Sequence, residues 1–436
     1  MKKTLCTVAA AALTLVACQS DKAAKSGDVI GKPAVAVENG RFTPEVMWSL
    51  GVMSEYAVSP DGQNIVYTLR YTDMAQNKNN TELYLMPIAG GEGQRLTVTA
   101  ESEFSPVWKD NNTLLFCRGT EIRSIDIKSL NETVVASCDR GFEGFKLAPD
   151  GNSLVYISTI PVERPEHIGK LFAGLDQTTG RINEDLMYRH WDQWVDEIPH
   201  IYYVPLHEGI AQMDKAKDIL DGEPYEAPMR PWGGTEQYNY SPDSKYIAYT
   251  CRKKTGAAYS KSTDSDIYLY NVATGETQNI CKASATDKNM GYDTNPQYSP
   301  DGTMIAWQSM ERDGYESDKL RLMVMDLASG AKVDLTEAFD YGVMNILWSP
   351  DDKELYAIVM YRGMNEIFAF NRETKAIRQI SHGYHDVNAI QLAADGTTLV
   401  ANQASIQYPG TLYAYTVSDD KAEGKKLSTF NDDVLS

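Results

Sequence analysis

A four-residue turn followed by a short apolar strand returns seven times along this chain, and no other feature restricts its fold as strongly. The clearest copy is Ser299-Pro300-Asp301-Gly302, followed by Ile305-Ala306-Trp307. Proline presets φ near −65°, aspartate can bond its own backbone, and glycine accepts φ > 0, so the tetrapeptide favours a tight reversal. The bulky residues after it favour a strand. The other copies begin at Ser59, Lys109, Ala148, Ser241, Ser349 and Ala393. Three residues beyond each turn stands Ile65, Leu115, Leu154, Ile247, Ile305, Leu355 or Leu399. Any single copy would pass as an ordinary surface turn, but seven branched aliphatics at one register mark a repeat.

Each unit carries more than its turn. A second apolar run follows, such as Ile267-Tyr268-Leu269-Tyr270 or Leu322-Met323-Val324-Met325, then a hairpin such as Ala328-Ser329-Gly330-Ala331, then a more polar strand. Each unit therefore holds about four antiparallel strands, graded from a buried inner strand to a polar outer one. A sheet of that size cannot bury both faces alone, and radial stacking of such sheets gives a β-propeller. The turn-to-turn spacings of 50, 39, 93, 58, 50 and 44 residues mostly sit near the ~40–50 of a propeller blade. The expected fold is all-β: a seven-bladed propeller of four-stranded blades over about residues 41–430, with one partly helical insertion in the third blade at about 161–200. How the ring closes is not legible at this level.

The net charge of −19 argues against non-specific binding to nucleic acid or anionic lipid, both of which need a basic face. Residues 1–18 read as an export signal: Met1-Lys2-Lys3, an apolar run from Leu5 to Val16, then Ala17-Cys18. Twelve or so apolar residues are too few to span a bilayer. Leu15-Val16-Ala17-Cys18 matches the bacterial lipobox and makes Cys18 the expected lipid attachment site, at the periplasmic side of the cell envelope; a plain secretory signal with an incidental cysteine is the alternative. Residues 19–40 read as a flexible tether. The four cysteines beyond the signal, Cys117, Cys138, Cys251 and Cys281, would form their obvious pairs only across next-nearest strands, two spacings of ~4.8 Å apart and beyond the ~7 Å limit for a bridge, so free thiols are expected.

Chemistry is expected in the insertion. Met187, Trp191, Trp194 and Val195 recur at helical spacing within Glu184 to Pro199, which predicts an amphipathic helix. Arg189, His190, Asp192, Asp196 and Glu197 fall on its other faces. A projecting acidic segment beside a cavity suits a cationic group such as a peptide α-ammonium. The plainer reading is that the tryptophans pin the insertion to the propeller and the charges are solvated. No G-x-S-x-G nucleophile elbow occurs anywhere in the sequence. His190, His200 and His207 lack the spacing of a zinc site, and His382-Gly383-Tyr384-His385 has no third ligand nearby. No phosphate-cradling glycine loop is present. Catalytic residues, metals and cofactors are therefore expected to be absent.

The stretch Leu186-Met187-Tyr188-Arg189-His190-Trp191-Asp192-Gln193-Trp194, placed between these repeats, resembles the non-catalytic propeller half of the prolyl oligopeptidase family, and especially its bacterial dipeptidyl-peptidase-5-like exopeptidases. The resemblance covers about residues 41 to 430. It implies a propeller that caps an α/β-hydrolase domain, admits short peptides and anchors their free N-terminus through insertion acids. Asp192, Asp196 or Glu197 would then hold the amine, with Arg189 as an internal partner for one of them. The hydrolase domain is not in this sequence, and residues 431–436 resemble the start of a linker into it. On this reading the chain is the gating and N-terminus-recognising part of an exported serine exopeptidase, inactive alone. A stand-alone TolB-like lipoprotein that binds protein partners at the envelope is the alternative.

Overall fold

The computed structural model describes residues 29–162, 168–282, 290–418 and 423–435; the expected signal segment with Cys18 lies outside them. Seven antiparallel sheets follow one another as blades over residues 52–95, 103–137, 145–218, 238–279, 292–334, 343–379 and 386–426. Strands pair in chain order within each blade. In the third blade the outer position is shared by two short pieces, Ile210–Ala211 and Lys217–Asp218, beside Glu197–His207.

The turn motif works through its serine as well as its proline and glycine. The hydroxyls of Ser59, Ser241, Ser299 and Ser349 donate to the aspartate two residues on at 2.6–2.8 Å. Each also accepts the backbone N–H five residues on at 2.9 Å, so it closes the turn onto the second strand. The hydroxyl bond holds Asp61, Asp243, Asp301 and Asp351 below the usual carboxylate range. The fourth turn position is left-handed, at φ 67° in Gly62 and 72° in Gly302, and also in Ser244 (61°) and Asp352 (58°), where a side chain bears the strain.

The seven repeat aliphatics are all 0–1% exposed. They begin second strands that are buried on both sides, because Ile65 packs toward the seventh blade while Val66 packs toward the second. Each of seven apolar clusters spans one boundary between neighbouring blades. The propeller core is thus a ring of interfaces, and no single blade owns a core.

Among the described residues, no strand is exchanged to close that ring. Blades one and seven meet through a single parallel bridge, Gly91 to Ser428, and through side chains. Tyr56 donates to the Val400 carbonyl at 2.8 Å, and Gln391 accepts from Val58 N–H and donates to the Tyr56 carbonyl. Buried Asn431 serves as a one-residue strand: its Oδ1 accepts Gly51 N–H at 2.8 Å and its Nδ2 donates to Gly51 O at 2.9 Å. Within the stretch read from composition as a tether, Ile30 and Lys32 lie against this seam, Ile30 buried and Lys32 bonded to the Phe430 carbonyl. Residues Asp432–Leu435, read as the start of a linker, form a short helix there. Cys117, Cys138, Cys251 and Cys281 are free thiols.

One expectation is corrected. The helix over Glu184 to Pro199 does not form. Arg189–His190 and Gln193–Trp194 make a small hairpin, Glu197 begins a long blade strand, and the helix present among the described insertion residues is Ile168–Leu171. Met187 and Trp191 sit at φ 60° and 51°, which an α-helix cannot accommodate. The four apolar residues do not share a buried face either: Val195 is buried while Trp191 is 73% exposed.

Candidate functional site

Strand polarity fixes which residues share a face. The Ser-Pro-Asp-Gly turns join first to second strands at one end of every blade. The hairpins from second to third strands and the links between blades lie at the other end. The insertion leaves after Ser153–Pro161, a second strand, and so stands at that other end. The Gly51–Asn431 junction lies there too, immediately before the first strand of blade one.

The two faces differ in surface. Every large apolar side chain more than half exposed among the described residues belongs to the insertion face or the N-terminal segment, including Met74, Trp191, Trp232, Tyr315, Met360, Tyr384 and Ile406. The opposite face presents the turn aspartates.

The insertion hairpin is held from several sides. Trp194 is stacked by the guanidinium groups of Arg181 and Arg189 at 4.2 and 5.0 Å, and Trp191 meets Trp232 edge to face at 4.7 Å. Glu226 lies beneath. Its Oε1 bonds His190 Nε2 at 2.8 Å, and its Oε2 accepts from Tyr259 Oη at 2.7 Å and from Arg230 N–H at 3.2 Å. Burial pushes this carboxyl up, but those three bonds outweigh it and hold it below its ordinary value. A buried anion thereby ties together the insertion, the 226–237 loop and the 252–261 segment. Asp185 adds a second tie, accepting Ala257 N–H at 3.1 Å. It approaches so closely that a Cβ on Gly256 would stand 2.0 Å from Asp185 Oδ2, at a φ of 58°.

Two cavities flank this wall, with Met187 and Tyr259 facing both. One of about 770 Å³ lies between residues 183–188 and the 222–226 and 254–259 segments, and includes Glu184, Asp185, Glu223 and Glu226. The other, of about 780 Å³, lies between the hairpin and blades four and five, and includes Trp191, Trp232, Glu236, Arg252 and Tyr292.

The residues singled out from sequence are placed unequally. Arg189 donates to the Asp192 carbonyl at 2.9 Å and not to a carboxylate. Asp196 receives Arg181 at 2.8 and 3.1 Å. Glu197 receives Arg140 at 2.6 Å and the Thr159 hydroxyl. Asp192 is exposed at the hairpin tip, and its carboxylate has no hydrogen bond or ion pair among the described residues. None of the three acids lines either cavity. Glu226, Glu236, Arg252 and Trp232 do face this region, and sequence reading passed over them. The only signal was the unusual run Glu223-Pro-Tyr-Glu-Ala-Pro-Met-Arg-Pro-Trp232 just before blade four.

The tripled acid–cysteine cluster Asp266, Cys281 and Asp293 brings three potential ligand atoms within 4.8 Å. It is also one case of a repeated joint between blades. Cys281 Sγ accepts Ile267 N–H, as the hydroxyls of Thr97, Thr336 and Ser381 accept Leu83, Leu322 and Ile367 N–H. Trp307 and Lys282 already bond its two carboxylates. Its place in that series makes it part of the architecture.

Residues 254–434 match the family described as "Dipeptidyl peptidase IV (DPP IV) N-terminal region". The chain is 37% identical over 408 residues to dipeptidyl-peptidase 5 of Porphyromonas gingivalis, covering 91% of this chain and 58% of that protein. It is 35% identical to dipeptidyl-peptidase 5 of Porphyromonas endodontalis, covering 86% and 54%. It therefore spans little more than half the length of the curated relatives it matches. Among solved structures, the β-propeller domain of the Trilobed protease from Pyrococcus furiosus superposes with a TM-score of 0.56 at 12% identity, over 88% of this chain and 98% of that one. That protein is described as having an open velcro topology.

Proposed function

Since the chain is the propeller region of a prolyl oligopeptidase-family peptidase, we propose that its insertion face admits short peptides and recognises their free N-terminus for a hydrolase domain seated on that face. The observation that carries this reading is the asymmetry of the two faces. Exposed aromatic and aliphatic side chains collect on the face that bears the insertion, both cavities and residues 431–435. The exposed Trp191–Trp232 pair beside the cavities is the part of that surface best suited to an interaction.

Within that reading, Asp192 is the amine anchor best placed among the three acids, because arginines already neutralise Asp196 and Glu197. A charge-assisted bond to an ammonium is about twice as strong as a neutral one. Titration of this chain with a tripeptide and its N-acetylated counterpart tests the idea. Tighter binding of the free amine, lost in Asp192→Asn, is the expected result; equal binding of both peptides overturns it. We also propose export and lipid attachment at Cys18, which metabolic labelling with palmitate tests: a label that persists in Cys18→Ser sinks that assignment.

A further inference from the structure

The second cavity contains a cation, Arg252, that has no anionic partner among the described residues. Among the described residues, every other half-buried arginine has a carboxylate within 4 Å: Arg95, Arg118, Arg123, Arg230, Arg321, Arg372 and Arg378. Arg252 has none, and its side chain makes no hydrogen bond. Its Nε is buried and unpaired. The guanidinium lies over the Tyr259 ring at 4.6 Å, and its charge also reaches Tyr292. The Tyr259 hydroxyl is held at Glu226, to which it donates, and makes no bond to the guanidinium that lies over its ring. The carboxylates that share the cavity, Glu236 and Glu316, do not come within ion-pair distance. Glu236 is instead turned back on its own loop, accepting Gly234 N–H at 2.7 Å.

An arginine held half-buried with unfilled donors carries a desolvation cost that no hydrogen bond offsets. The planar fork of a guanidinium matches a carboxylate through two parallel bonds. Stacking on Tyr259 fixes the plane of that fork in advance, so little further ordering is needed on binding. The mouth of the cavity is flanked by the exposed Trp191–Trp232 pair, which offers an apolar surface beside the cation.

We propose that Arg252 is a carboxylate receptor: the cavity between the insertion hairpin and blades four and five takes the anionic end of a short peptide, with its apolar side chains against Trp191 and Trp232. The inference rests on the peptide-binding reading above and adds the group at the other end of the ligand. Two sources supply that chemistry, a C-terminal carboxylate and an acidic side chain.

Four probes separate these possibilities on this chain: Ala-Phe-Ala, its C-terminal amide, its N-acetylated free acid, and Ala-Phe-Glu amide, each titrated calorimetrically. The free acid is expected to bind at least about tenfold tighter than the amide, the scale of one charge-assisted pair. That preference is expected to vanish in Arg252→Gln with the unfolding midpoint unchanged, and to be partly kept in Arg252→Lys. Ala-Phe-Glu amide binding as tightly as the free acid assigns the side-chain source; binding as weakly as the amide assigns the C-terminus. Equal binding of acid and amide, or a preference that survives Arg252→Gln, overturns the proposal. If Arg252→Gln shifts the midpoint, the Arg252→Lys protein and the acid–amide comparison in the unaltered chain decide. The acetylated probe keeps the two readings apart: if it binds as well as the free amine, recognition of the N-terminus fails while the carboxylate preference stands.

Discussion

The two ends of this propeller are built on different principles. On the turn face, each Ser-Pro-Asp-Gly unit is closed by hydrogen bonds no more than five residues apart in sequence, and the same bonds recur from blade to blade. On the insertion face, the decisive contacts reach much further: His190 to Glu226 across 36 residues, and Gly51 to Asn431 across 380. A face made of local, repeated contacts can be architecture and nothing else. A face made of single, long-range contacts is free to differ at every blade, and the two cavities beside the insertion hairpin and the most exposed aromatic residues are found there.

Substitutions can break this contrast. The largest effect is expected at the seam. Asn431→Ala leaves the Gly51 N–H and carbonyl buried without partners, and denaturant unfolding should show a loss of about 3 kcal/mol. Next comes Ser299→Ala, which removes the fully buried hydroxyl that joins Asp301 to Met304 N–H; about 1–2 kcal/mol is expected in the same measurement. A comparable loss from Asp192→Ala on the hairpin tip would show that the insertion face is architectural as well.

A gain of roughly 0.5–1 kcal/mol is expected for Ser244→Gly, which places glycine at a left-handed turn position as in Gly62 and Gly302. An unchanged midpoint would mean that the bond Ser244 Oγ accepts from Asp150 N–H at 3.2 Å offsets the strain. The smallest change in stability, within about 0.5 kcal/mol, is expected for Trp191→Ala combined with Trp232→Ala, since both rings are exposed.

Acid should separate the faces too. The turn aspartates titrate below their unfolded values in the native state. Their contribution is therefore present above the unfolded carboxylate pKa and is lost as pH falls through the lower, folded values. Asp301→Asn should make the stability curve shallower below about pH 4; a slope identical to that of the unaltered chain would remove the turns as its source.

The difference also explains what the sequence could disclose. The seven blades were legible because their code is local: a proline, an aspartate, a left-handed glycine, and an aliphatic three places on. The insertion was not. Met187, Trp191, Trp194 and Val195 stand at helical spacing, yet Trp191 meets Trp232, Trp194 meets Arg181 and the neighbouring His190 meets Glu226, contacts the spacing does not reveal. Asp196 and Glu197 looked available because Arg181 and Arg140 were remote in sequence. Arg252 gave no sign, because what distinguishes it is the absence of a neighbour.

The closure between blades one and seven has a mechanical consequence. A ring completed by exchanging a strand can open only by unzipping a ladder of backbone bonds. This one is fastened by one bridge, an asparagine, a few other side chains and an apolar cluster. Both described ends of the chain lie beside that fastening, tied together by Lys32 and Phe430. Tension applied through the ends therefore loads the clasp before it loads any blade, and the ring is built to part at one joint while six others stay shut.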